Sequence, residues 1–259
     1  MRQNHPGSTQ WGTRPARWLA TLPARSRARR GACAVALLLG VSWGTAHAQS
    51  SSFGGVVALS NQLVDRGLAV TPKTPVLQGA LSWTTPSGWS LGLSASSETR
   101  SPGQIVETLA QASYAWTLST DWQMQTSLLY YRYGNDSHWG MYDRVELAAN
   151  WIYRDVLTLG LSEAQLIHTG GRGPRGAADI GFRWPLVWKL AASAGVGTAQ
   201  YLIPPYGREY PRYQYGHLGL VWENDRWRVE LNHIMTQHEP RPAGSPAVSP
   251  WNATVSRTF

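Results

Sequence analysis

The chain has 259 residues, with 23 Lys plus Arg against 15 Asp plus Glu and a formal charge of +8 at neutral pH. Seven of the arginines precede residue 49 and no acidic residue does, so the remainder is nearly neutral, with 16 basic and 15 acidic side chains. That balance excludes a basic nucleic-acid footprint. The single cysteine, Cys33, lies in the same leading segment, so disulfide and thiolate chemistry are excluded from the rest.

The leading segment reads as a secretory signal. A basic stretch carries Arg2, Arg14, Arg17, Arg25, Arg27, Arg29 and Arg30, then a short apolar run spans Ala32 to Val41, then Ala46-His47-Ala48 offers a small-residue cleavage site before Gln49. The expected organisation is a removed signal over 1–48 and one exported domain over 49–259. After residue 48 no run approaches eighteen apolar residues, which excludes a transmembrane helix. If this chain crosses a membrane, it does so as a closed barrel.

In chain order, twelve strand-like runs follow: 53–61, 75–84, 89–97, 105–118, 121–133, 140–153, 156–167, 175–184, 187–199, 213–223, 226–237 and 250–259. Their lengths suit tilted membrane strands. Several alternate with period two. Trp89, Leu91 and Leu93 interleave with Ser90, Gly92 and Ser94; Trp227, Val229 and Leu231 interleave with Arg228, Glu230 and Asn232. Periodicity alone does not say whether the apolar face is the inside of a sandwich or the outside of a barrel.

The connections separate the two. Long ones cover 62–74, 98–104, 134–139, 168–174, 200–212 and 238–249. Short ones lie between them at Thr85–Gly88, Ser119-Thr120, Arg154-Asp155, Pro185-Leu186 and Asn224-Asp225. Strict alternation of long and short gathers all long loops at one end, as in outer-membrane barrels. The aromatics agree. Trp83, Trp89, Trp116, Trp122, Trp151, Trp184, Trp188, Trp222 and Trp227 flank the short turns and make one periplasmic girdle, where an indole finds both apolar and hydrogen-bonding surroundings. Tyr130, Tyr131, Tyr133, Trp139, Tyr142, Tyr201, Tyr213 and Tyr215 form a second group toward the long loops. The expected fold is therefore all-β, a transmembrane antiparallel up-and-down barrel of about twelve strands.

On the last strand, Trp251, Ala253, Val255 and Phe259 share a face. Phe259 is expected to serve as the C-terminal insertion signal read by the barrel-assembly machinery, as likeness to outer-membrane proteins implies. Arg257 breaks the apolar pattern at a rim position from which its head can snorkel.

The stretch Asp65-Arg66-Gly67-Leu68 followed by Pro75-Val76-Leu77-Gln78-Gly79 resembles the TorF-type porin family of proteobacterial outer-membrane barrels. Tyr130-Tyr131-Arg132-Tyr133-Gly134 looks like the aromatic strand end of that family. The likeness is sharpest over 53–97, and Gln62-Leu63-Val64 departs from it. It implies an exported barrel and names no solute.

If the apolar face meets lipid, Arg144, Glu146, Asp179, Arg183, Lys189, Arg228 and Glu230 line the lumen. They either filter ions and solutes or pair with each other across the barrel. Arg66 has two readings: it holds the first loop beside the permissive Gly67, or it narrows the pore as a loop constriction. His138, His168 and His238 fall in expected loops, with His217 and His233 in strands. None has metal-ligand spacing, and Gly-x-Ser-x-Gly is absent. Gly170, Gly171, Gly173 and Gly176 lack the Lys-Ser/Thr of a phosphate loop. No catalytic residue, metal or cofactor is expected. Three functions fit: a passive channel for small polar or ionic solutes, an outer-membrane enzyme acting on lipid, and an adhesive barrel binding partners through loops 200–212 or 238–249. The expected partners are outer-membrane lipid, the assembly machinery and small solutes, with no nucleic acid. Oligomeric state is left open.

Overall fold

The computed structural model describes residues 51–134, 140–168, 173–203, 212–237 and 246–259. The segment expected to be a signal, His138, Trp139, Gly170, Gly171, His238 and most of loops 200–212 and 238–249 lie outside the described residues. The strands are β1 (Ser52–Ser60), β2 (Val64–Asp65), β3 (Leu68–Ala69), β4 (Val76–Thr84), β5 (Trp89–Glu98), β6 (Ile105–Thr117) and β7 (Trp122–Tyr133). After a short 3₁₀ turn at Gly140–Tyr142 come β8 (Arg144–Tyr153), β9 (Leu157–Leu166), β10 (Arg175–Pro185), β11 (Leu190–Gln200), β12 (Arg212–Asn224), β13 (Trp227–Thr236) and β14 (Trp251–Thr258).

Strands β1 and β4–β14 form one closed barrel in sequence order, every neighbour antiparallel. Each of the twelve runs expected from the sequence becomes one barrel strand. Strand β1 meets β14 with Val56 opposite Thr258 and Ser60 opposite Thr254. Backbone bonds from Gly55 N to Phe259 O (3.1 Å) and from Phe259 N to Gly55 O (3.0 Å) finish the seam. Closure leaves no unpaired sheet edge, which is what lets strands sit in hydrocarbon.

The two faces of the wall have opposite chemistry. Outward residues are apolar and exposed: Leu81 is 61% exposed, Leu147 60% and Val196 63%. Inward ones are polar and enclosed: Arg144, on the same strand as Leu147, is 1% exposed, and Glu230 and Asn232 of β13 are 1% and 2% exposed. A soluble sandwich buries its apolar face; here that face circles the outside, an area far beyond what water tolerates on a soluble protein.

Three local features differ from expectation. Residues 140–142 form the 3₁₀ turn instead of starting β8. The fourth short turn centres on Trp188 and Lys189, not on Pro185-Leu186. Both have left-handed backbone (φ 55° and 64°), and Leu190 N closes the turn on Val187 O at 3.1 Å. Such paired left-handed residues match the twist of the flanking strands. The largest difference is connection 62–74. Instead of an external loop it folds into the lumen as the β2–β3 hairpin.

Apolar residues in that connection explain the inward fold. Leu63 and Val70 pack with Val76, Leu109, Leu129, Tyr131 and Tyr133 from the β4, β6 and β7 walls. Leu63 and Val64 are almost fully enclosed. An exposed loop carrying these side chains would leave them in water at about 1.5–3 kcal/mol each. The hairpin tip is Arg66-Gly67, both left-handed (φ 46° and 74°), the geometry a two-residue turn needs.

Candidate pore and its constriction

The hairpin is tied down at its base and braced at its tip. At the base, Gln62 Nε2 donates to Thr71 O (2.8 Å), Ser249 N donates to Gln62 Oε1 (2.7 Å), and Asn252 Nδ2 donates to Gln62 O (2.9 Å). Leu63 N donates to Thr71 Oγ1 at 3.0 Å. At the tip, Arg66 Nη2 pairs with Glu146 and donates to Ser162 Oγ at 2.5 Å. Thr236 Oγ1 donates to Gly67 O at 2.7 Å. Leu68 packs against Ala199, Tyr201 and Tyr213. The hairpin thus reaches from the β1 and β14 side to β8, β9, β11, β12 and β13.

Arg144 is the hub opposite the tip. Its guanidinium bonds Asp65 Oδ2 (2.9 Å) and Tyr133 Oη (2.8 Å), and approaches Glu146 Oε2 (3.4 Å). It lies over the Tyr131 ring, 3.9 Å from the centroid. Two guanidinium groups and two carboxylates alternate here, each charge facing its opposite with water largely excluded. Beside the hairpin, toward the long-loop end, is a cavity of about 100 Å³ lined in part by Arg66, Arg144, Tyr133, Tyr142, Tyr201 and Tyr213.

A second ionic cluster lies near the short-turn end. Arg183 Nη2 bonds Glu223 Oε2 (2.7 Å), Arg228 Nη1 bonds Glu223 Oε1 (2.8 Å), and Arg228 also pairs with Glu230. These four residues come from the inward faces of β10, β12 and β13. Asp179 points inward between the two clusters, opposite Gly160 on β9 and Gly197 on β11. Lys189 departs from the expected lumen set. It sits in the Trp188-Lys189 turn, exposed, with its ammonium on Asn224 Oδ1.

The tryptophans that flank the short turns lie on the outside of the barrel. Trp83, Trp89, Trp116, Trp122, Trp151, Trp184, Trp222 and Trp227 share the outward parity of the exposed leucines, and Trp188 projects from its turn at 84% exposure. Several meet other rings: Trp89 and Tyr114 at 5.1 Å, Tyr114 and Trp116 at 4.6 Å, Trp122 and Tyr153 at 5.1 Å between centroids. The Phe259 ring lies over Gly55 on the outer surface. Of the histidines, His168 Nε2 is 3.4 Å from Asp143 Oδ2, His217 faces inward, and His233 faces outward, edge-on to Trp251 at 4.8 Å.

Sequence reasoning did not find Asp65 as a partner of Arg144, Glu223 as the bridge of the second cluster, or the aromatic support from Tyr131 and Tyr133. The available signal for Asp65 was the run Leu63-Val64-Asp65-Arg66-Gly67-Leu68, a two-residue turn between apolar residues inside a nominal loop.

No protein-family model matches the sequence, and no curated protein resembles it significantly. The fold does have solved counterparts. The barrel is similar to the NanC porin, with a TM-score of 0.51 at 10% identity over 80% of this chain and 99% of that one. A further similar structure is the COG4313 outer membrane channel from Pseudomonas putida F1, with a TM-score of 0.48 at 12% identity over 80% of this chain and 95% of that one. At such low identity the NanC likeness concerns architecture, and the class it defines is the outer-membrane type of antiparallel barrel.

Proposed function

We propose that this chain is a passive outer-membrane channel for small polar or ionic solutes, exported by the 1–48 signal and related to the TorF-type porins. One observation carries the reading: a closed wall, apolar outside, encloses a polar, charged lumen that an inward hairpin narrows. Lipid supports the outside, and the tryptophan ring marks the periplasmic headgroup level. In this reading the assembly machinery inserts the barrel. Arg66 belongs to the constriction, with Arg144 and Glu146 facing it. Asp179, Arg183, Arg228 and Glu230 continue the solute path toward the periplasm. Mixed signs on that path favour permeation of small solutes over tight retention of one charge type. No residue is assigned a catalytic role, and His233, the histidine on the lipid face, is engaged with Trp251.

Single-channel recording in a planar bilayer tests the proposal. Discrete ohmic steps are expected. A folded, heat-modifiable barrel that stays silent overturns it.

A further inference from the structure

The two halves of the lumen wall are filled differently. On β4, β6 and β7 the inward positions include Gln78, Leu109, Gln111, Gln125, Leu129 and Tyr131, and Leu63 and Val70 from the base of the hairpin connection pack on this side. On β9, β11 and β12 inward positions include Gly160, Gly195, Gly197 and Gly219. Three of these glycines have a specific relation to the next strand. A Cβ on Gly160 would fall on the Asp179 carboxylate, one on Gly197 on the phenol end of Tyr215, and one on Gly219 on the Asn232 amide. The register explains why: Gly160 is directly opposite Asp179, Gly197 opposite Tyr215, and Gly219 opposite Asn232. In an antiparallel pair such side chains stand side by side and project into the lumen. Opposite a glycine, the longer one leans sideways into the gap and lies along the wall.

We propose that Gly160, Gly197 and Gly219 are seats that hold Asp179, Tyr215 and Asn232 flat against β9–β12, so that the solute path runs off-centre along this wall and its bore is set by the seats. Gly197 is the decisive one. Tyr215 stands beside the hairpin tip, where its Cβ approaches Gly67. The ring has two ways to go: down onto Gly197, or out into the lumen under the hairpin tip. Seated, it stays off the lumen axis, with its hydroxyl enclosed against the wall. Displaced, it blocks the narrowest level. The seats thus make these glycines positioning residues for size selection, and the solutes they pass are compact and hydrogen-bonding. Gly79 is the natural control: it is on the outward face of β4 and a Cβ there meets nothing within 4 Å.

The inference rests on the channel reading, and the test separates the two. Single-channel conductance and the polyethylene-glycol size cut-off are measured for protein extracted from membranes of an expressing host, as wild type, Gly79→Ala, Gly197→Ala, Tyr215→Ala and Gly197→Ala with Tyr215→Ala. Heat-modifiable migration checks folding of each. Gly197→Ala is expected to cut conductance about twofold or more and lower the size cut-off, because the ring swings into the bore. The double variant is expected to recover to wild type or above, since an alanine at 215 has nothing to displace. Gly79→Ala should match wild type. A folded Gly197→Ala with wild-type conductance overturns the seat, and so does a double variant as poor as the single one, which would place the defect in the backbone of β11. A silent wild type overturns the channel reading itself and the inference with it.

Discussion

The two ionic clusters of the lumen use the same chemistry for different mechanical ends. The cluster near the short turns joins Arg183, Glu223, Arg228 and Glu230 from wall strands alone, and Arg228 and Glu230 are neighbours on one face of β13. The other joins Arg66 and Asp65 of the hairpin to Glu146 and Arg144 of β8, across about eighty residues of sequence. Cutting the first leaves every backbone segment where it was. Cutting the second frees a segment that otherwise bridges the barrel. Ion pairs between fixed strands therefore tune a field, while ion pairs from a hairpin to a wall fix an obstruction. Local geometry does not distinguish these roles; what each pair holds does.

The largest effect should come from removing the obstruction. Replacing Asp65–Leu68 by two glycines takes away Asp65, Arg66, Gly67 and Leu68 with all their far-wall contacts. Conductance is expected to rise about threefold, toward that of an unobstructed twelve-strand lumen. A truncated barrel that conducts no better than wild type breaks the comparison, because the hairpin would then not be the narrow point. Next in size is Glu146→Gln. Arg66 loses its carboxylate while Arg144 keeps Asp65, leaving one enclosed guanidinium short of a counter-charge at a cost of about 3 kcal/mol. Guanidinium-induced unfolding should show a lower midpoint, and current traces should show more open-channel noise as the tip loosens.

How much of this was legible beforehand follows from which physical rule governed each part. The wall was readable because period-two alternation, turn residues and strand length all act locally. Trp227-Arg228-Val229-Glu230 states its own faces once the apolar side is known to be the outside of a closed barrel. Trp188 and Lys189 show the limit of that reading. Pro185 marked a break, yet the chain stays extended through it and reverses three residues later. The hairpin was not readable from loop length. Its direction depends on Leu63 and Val70 meeting Leu109, Leu129 and Tyr133, partners from strands not adjacent to it in sequence. Arg144 and Glu146 were placed inward by parity, but parity carries no information about Asp65, which reaches them only after the hairpin has crossed.

A smaller effect is expected in the wall cluster. Glu223→Gln leaves Arg183 and Arg228 in place with one carboxylate fewer. The reversal potential in a salt gradient should move toward anion preference by about 10 mV or less, because mobile ions in the pore screen the change. Conductance should hold near wild type. A loss of conductance comparable to that from hairpin displacement would mean that this cluster, too, holds an obstruction.

The smallest effect comes from a pair that looks best on paper. Arg154 meets Asp121 in a fork, Nε to Oδ1 at 2.8 Å and Nη2 to Oδ2 at 3.1 Å, across the short-turn end. The arginine bond holds the Asp121 carboxyl below its ordinary range. The sign follows: a carboxyl with a folded pKa below its unfolded one contributes stability above the unfolded value and loses it as pH falls through the folded one. Yet the side chains are 61% and 38% exposed, so water and salt screen the pair. Asp121→Asn is expected to leave the unfolding midpoint unchanged at neutral pH in physiological salt, and the wild type should show no step between neutral pH and the carboxylate range that the variant lacks. A clear destabilisation would show that bond geometry outweighs enclosure in this barrel. The expected null sharpens the opposite conclusion, that the Arg66–Glu146 pair matters because it is enclosed and carries the hairpin.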